Sequence, residues 1–289
     1  MNLQAIWQSC LGSELATQGQ NYEILQALLD MLNLYEETAQ EYFYQEEEFY
    51  SEEFSDWLYD TSVIELNDLK RELQLALRKC QGMEKNDTRL TENSCKVLVK
   101  ENPFFLISLH EEELLCAYTV QKLYTIKRGY LKVLSKSEFK KNYEECFPNI
   151  YFAESVPASI NNLKTNFKLI SAEIVDHLSF LNSYYKTFET MRRNGCSNKC
   201  MADSFKEYSG IECSPQNDRK EVKVLEREYY NTLTMKHERI CCELHTKFKR
   251  RGKEAQKQDR IYFSAGKDGI KGGKIIVIHI GRHIKNGKL

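Results

Sequence analysis

Apolar side chains recur every three or four residues through the early part of the chain and every second residue towards its end. From Tyr22, the stripe Leu25, Leu28, Leu32, Tyr35, Ala39 and Tyr42 predicts an amphipathic helix, and Leu66, Leu69, Leu73 and Leu77 predict a second. Between them, residues 46–60 alternate acids with Phe49, Tyr50, Phe54, Trp57 and Tyr59, and the polar run 81–94 reads as a linker. Residues 96–99 and 104–109 suit short strands, 111–133 a helix, 150–152 another short strand and 159–163 a turn of helix. The strongest stripe is Phe167, Ile170, Ile174, Leu178, Leu181, Tyr185 and Phe188, which predicts a long core-facing helix ending near Gly195, where glycine supplies a left-handed cap. A short helix follows at 202–208.

The period then changes to two. Across 239–249, Ile240, Cys242, Leu244, Thr246 and Phe248 oppose Arg239, Cys241, Glu243, His245, Lys247 and Lys249, the alternation of a half-buried strand. Residues 260–264 repeat it, and the β-branched run 274–280 suits a strand buried on both faces. The fold class expected is α+β, a helical N-terminal region followed by a small antiparallel or mixed sheet packed on a long helix. Its divisions are an acidic helical region over 1–82, a mixed connecting region over 83–148 and a basic α+β domain over 149–289.

Charge sharpens this division. The net charge of −1 is a cancellation: residues 1–69 hold 15 Asp and Glu and no Lys or Arg, which leaves +14 on residues 70–289. The last 54 residues carry 15 basic against 5 acidic side chains. Blocks of this size imply partners of opposite sign, whether nucleic acid, another protein or the other half of the chain. The ten cysteines are scattered, Cys241 and Cys242 are adjacent, and no stretch resembles a secretory leader or a membrane span, so reduced thiols in a cytoplasm are expected.

Candidate chemistry gathers in the terminal strands. If they pair with their apolar faces together, the other face collects Glu243, His245, Lys247, Lys249, Arg260 and Tyr262, and the parity of the third strand adds His279 and His283. Imidazoles beside a guanidinium, ammonium groups and a phenol are what metal-independent cleavage of a phosphodiester requires: a base for the 2′-hydroxyl, an acid for the leaving oxygen, cations for the phosphorane. His245, Tyr262, His279 and His283 are the candidate catalytic groups, and Lys247, Lys249, Arg250, Arg251, Arg260, Lys274 and Arg282 the candidate nucleic-acid contacts. The plain alternative is a solvated sheet face. Cys196, Cys200, Cys213 and Cys241, with His237 as an alternate, could supply a structural zinc, against ordinary reduced cysteines; no other cofactor is expected. The glycine-rich run from Gly266 to Lys274 leads into a strand rather than a helix, which excludes a phosphate loop.

The sequence His245-Thr246-Lys247, then Arg260-Ile261-Tyr262-Phe263, then a hydrophobic strand ending His279-Ile280-Gly281-Arg282-His283, resembles the small sheet of RelE/ParE-type toxins, which cleave messenger RNA or inhibit gyrase. It is also similar to the ending of uncharacterised bacterial proteins encoded near mobile elements. The resemblance covers about the last 54 residues and implies an RNA-facing basic sheet with Lys247, Arg260 and Tyr262 at its centre. The reading that follows is a nucleic-acid-binding effector, toxin-like or defence-associated, with RNA cleavage as its candidate activity and the acidic helical region as its regulator. The alternative is a noncatalytic adaptor or structural component that docks a protein through the aromatic acidic residues 36–60. RNA or DNA is the expected partner, and no membrane is expected.

Overall fold

A computed structural model describes residues 4–7, 29, 42–45, 56, 58–79, 105–110, 113–117, 120–216, 219–249 and 258–284. The architecture is α+β. The chain forms two compact units, Met1–Lys127 and Arg128–Leu289. The first holds 10 Lys and Arg against 23 Asp and Glu, and the second 31 against 19, so the boundary separates a charge of −13 from one of +12.

In the first unit, β1 (Gln4–Trp7) pairs in parallel with β2 (Tyr42–Gln45), and α1 (Asn67–Lys79) buries Leu69 and Leu73, with Leu66 just before it, as their spacing predicts. Tyr42 opens a strand rather than closing a helix, and most of the preceding stripe, like residues 46–55 and the run 81–94, lies outside the described residues. β3 (Phe105–His110) forms an antiparallel pair with β4 (Glu113–Ala117). The helix expected over 111–133 is therefore only α2 (Val120–Leu131). Its first part is drawn into a hairpin whose register sets Ile107 opposite Leu115 and Leu106 opposite Cys116.

The second unit opens with α3 (Lys136–Asn142), whose start is fixed by a reciprocal cap between Ser135 and Glu138. Phe139 within it and Tyr143 and Phe147 after it are buried, with Phe139 5.2 Å from Phe167 and Tyr143 4.6 Å from Phe152. β5 (Ile150–Phe152) and α4 (Val156–Asn161) precede α5 (Phe167–Ser183) and α6 (Tyr185–Arg193). The long stripe thus spans two helices, broken at Tyr184, whose hydroxyl meets Ser204 Oγ at 2.7 Å and whose ring lies 4.9 Å from Phe188. α7 (Asn198–Ser209) is capped by Ser197 and by Gly210, the latter at φ +68°.

Then come β6 (Cys213–Pro215), α8 (Arg219–Val224), β7 (Glu226–Asn231), β8 (Lys236–Cys241), β9 (Leu244–Lys247), β10 (Asp259–Ser264) and β11 (Ile275–Arg282). A mixed five-stranded sheet runs β5-β11-β10-β9-β6, parallel only between β5 and β11. The single strand expected over 239–249 is divided between two sheets, because the chain turns at Cys242, whose N–H donates to the Leu225 carbonyl at 3.1 Å. Its alternation survives the turn: Ile240, Cys242, Leu244, Thr246 and Phe248 are all buried.

Each face of the sheet is covered. On one, Thr246 bonds His177 of α5 at 2.9 Å, and Phe263 lies 5.9 Å from Phe188 of α6 and 6.5 Å from Phe205 of α7. On the other, the antiparallel hairpin β7–β8 and its approach bring Leu225, Ile240 and Cys242 against Tyr262, Ile276, Ile278 and Ile284.

Candidate functional site

Register places the candidate residues with unusual economy. Tyr262 of β10 stands opposite His279 of β11 on one side and His245 of β9 on the other, and His245 stands opposite Ser214 of β6. A row His279–Tyr262–His245–Ser214 therefore crosses four strands, with ring centroids 5.8 Å and 5.1 Å apart around Tyr262. In the next row towards the sheet end, Arg260 stands opposite both Lys247 and Gly281. His283 lies just past β11.

The hairpin makes this face an interior. Tyr262 is fully buried, and His245 and His279 expose 2% and 3% of their surface. Burial, then the neighbouring Arg260 guanidinium, pushes His245 down to about 3, so its imidazole is neutral at pH 7. Arg260 Nη1 donates to His245 Nε2 at 3.1 Å, which makes Nε2 an acceptor, and Nδ1 faces the Glu243 carbonyl at 3.4 Å. The Ser214 hydroxyl lies 3.2 Å from the same Nε2. His279 is also held low by burial; its Nε2 donates to the Arg282 carbonyl at 2.9 Å, and its Nδ1 is buried without a partner.

Arg260 is the exceptional group. Lys247, directly across the ladder, is neutralised by Glu212 at 2.9 Å, whereas among the described residues the side chain of Arg260 bonds neutral acceptors, His245 Nε2 and the Tyr262 hydroxyl at 3.3 Å. Its Nε is buried with no acceptor among the described residues. A guanidinium so placed carries a desolvation cost that an oxyanion would offset. Exposed cations stand at the same end of the sheet: Arg282 opposite Asp259, Lys249 just after β9, and Lys164, whose N–H donates to Asp259 Oδ1 at 2.9 Å. Lys274 stands at the other end of β11, and Arg250 and Arg251 lie outside the described residues. Glu243 accepts from Asn198 Nδ2 at 2.6 Å.

Gly281 seals the row against α4. A Cβ there would sit 2.7 Å from the Ser159 carbonyl oxygen and 3.1 Å from His279 Nε2, while Ser155 Oγ and Ser159 Oγ bond the β11 backbone at 2.7 and 2.9 Å. Gly281→Ala is expected to destabilise the protein by about 1–3 kcal/mol through overpacking, measured by urea denaturation; an unchanged midpoint would contradict this packing.

The four candidate zinc cysteines are not assembled into a metal site: among the described residues no three His, Cys, Asp or Glu are grouped to hold an ion. Cys196 and Cys200 sit at the start of α7, whereas Cys213 is buried on β6 and Cys241 half-buried at the end of β8, their thiols pushed up by burial to about 12 and about 11. No helix among the described residues is long and apolar enough to cross a membrane. Ser214 is the site residue that sequence reasoning misses, since its three-residue strand, Cys-Ser-Pro, has no period to read. Compared with known proteins, the chain matches no family model, and neither the curated proteins nor the solved structures yield a significant match.

Proposed function

We propose that the second unit binds nucleic acid through its phosphate backbone at the sheet end formed by Lys247, Arg260 and Arg282, with Lys249 and Lys164 beside it. The observation that carries this reading is Arg260, a partly buried guanidinium that meets no carboxylate among the described residues and whose position is fixed by two neutral acceptors. Guanidinium groups held in this way recognise phosphate oxygens through paired, charge-assisted hydrogen bonds. The net charge of +12 on the unit supplies the longer-range attraction, and the −13 of the first unit supports a regulatory role as a competitor for the same cations. RNA is favoured over DNA through the resemblance of the terminal strands to toxin sheets.

The imidazoles and phenol lie beneath Arg260, and their burial supports a positioning role; cleavage by them would require this face to open. Arg260→Gln is expected to weaken binding of a labelled oligonucleotide about tenfold or more, and to reduce the slope of log affinity against log salt by about 1, because one phosphate contact is lost. Fluorescence anisotropy over a salt series measures both. Affinity and slope equal to those of the unaltered protein would remove Arg260 from the interface.

A further inference from the structure

The hairpin that buries the inner row has an outer face of its own. Its inward positions include Arg227, Tyr229, Asn231 and Ile240; the outward ones include Glu226, Glu228, Tyr230, His237 and Arg239. Tyr230 and His237 are direct cross-strand partners, 5.5 Å apart in an edge-to-face arrangement, and both are exposed. Beyond them the turn displays Leu233 and Met235, which expose 71% and 69% of their surface, and Tyr230, at 45%, donates to Met235 Sδ at 3.4 Å.

Nothing about this tip is loose. Asn231, itself buried, accepts from the N–H groups of Leu233 and Thr234 at 2.9 and 3.3 Å and donates to the Asp268 carbonyl at 3.2 Å. Thr232 N–H donates to the Gly269 carbonyl at 2.9 Å. Gly269 is at φ +80°, and a Cβ there would meet Asn231 Oδ1 at 2.0 Å, so only glycine allows the turn to seat. A well-anchored turn thus holds an aromatic pair and two large apolar side chains in water. Arg239 makes no ion pair among the described residues, and Lys236 is exposed at the turn.

We infer that the outer face and tip of the hairpin form a stacking platform for unpaired bases of a single-stranded nucleic acid, with Tyr230 and His237 meeting base faces and Arg239 meeting an adjoining phosphate. This rests on the nucleic-acid reading above and narrows it to single strands, since paired bases offer no free face for stacking. Glu228, directly across from Arg239, opposes phosphate on this face.

The test uses the full chain and a labelled single-stranded oligonucleotide of mixed sequence, with a duplex of the same sequence beside it. The double variant Tyr230→Ala, His237→Ala is expected to lower single-strand affinity by about 5-fold to 100-fold, as loss of base stacking does, with the salt slope unchanged and duplex affinity nearly so. Tyr230→Trp should retain the binding, and Glu228→Gln should strengthen it. Because these side chains are exposed, thermal unfolding should match that of the unaltered protein. If the unaltered protein binds neither strand nor duplex, the nucleic-acid reading falls and the platform with it. If it binds with steep salt dependence but the double variant binds equally well, the platform alone is overturned, and the exposed rings serve another partner.

Discussion

Lowering the pH from 7.5 to 4.5 is expected to destabilise the protein by several kcal/mol. Two buried histidines cause this. His245 and His177 are both pushed down to about 3, principally by burial, against an ordinary value near 6.5. In each case the folded value is depressed, so the unfolded chain takes up a proton below pH 6.5 while the folded chain does not, and stability falls with pH across that window. The contribution is fully present above pH 6.5 and is lost progressively towards pH 3, on the order of 2–3 kcal/mol for each histidine by pH 4.5. The surroundings explain the depression: His245 faces Arg260, Lys247 and His283, and His177 is enclosed against Thr246 and Phe248, where Lys249 adds to the effect and Asp176 opposes it. Urea midpoints at pH 7.5, 6.0 and 4.5 measure this. Identical midpoints would mean that these imidazoles reach water and that the sheet faces are open.

Replacing Tyr262 by alanine is expected to cost about 3–5 kcal/mol, the range for deleting a large, fully buried ring. The ring lies between His245 and His279 and is part of the apolar cluster with Leu225, Ile240, Ile276 and Ile278, so no single neighbour can fill its place. Tyr262→Phe separates packing from hydrogen bonding. It keeps the ring and removes the hydroxyl that accepts from Arg260, at an expected cost of about 1 kcal/mol. The phenylalanine variant should also loosen Arg260 and weaken oligonucleotide binding, a change that a purely packing role would not produce. Denaturant titration of both variants measures the difference, and an alanine variant within 1 kcal/mol of the unaltered protein would contradict the buried row.

The elements legible in the sequence are those with a clean period and a single environment. The run from Ile275 to Ile280 is β-branched except at His279 and is buried on both sides, and the stripe from Phe167 to Phe188 marks the helices on which the sheet packs. The parity of residues 239–249 assigns Ile240, Cys242, Leu244, Thr246 and Phe248 to the interior correctly. Parity does not reveal that the polar side is also covered. His245 alternates as an outward residue and is buried because β7, whose sequence Glu-Arg-Glu-Tyr-Tyr-Asn has no apolar alternation, returns over the sheet with β8. The breaks at Tyr184 and Cys242 were illegible for a related reason: the apolar stripe continues through each, and tertiary bonds from Ser204 and Leu225 decide where the chain turns. Ser214 joins the row only through the register of a three-residue strand.

These arrangements connect in one direction. A neutral, buried His245 and the Tyr262 hydroxyl hold Arg260, Glu212 neutralises the lysine across from it, and among the described residues the guanidinium meets no carboxylate. The most direct measurement is the affinity of the full chain for a labelled single-stranded RNA across several salt concentrations, with a duplex DNA as comparison. The expected result is binding to the RNA whose logarithm falls linearly with log salt, with a slope of about −2 or steeper, as release of counterions from several phosphates requires. Weak binding that does not change with salt would contradict a phosphate-binding sheet end and leave the free charge of Arg260 without its proposed role.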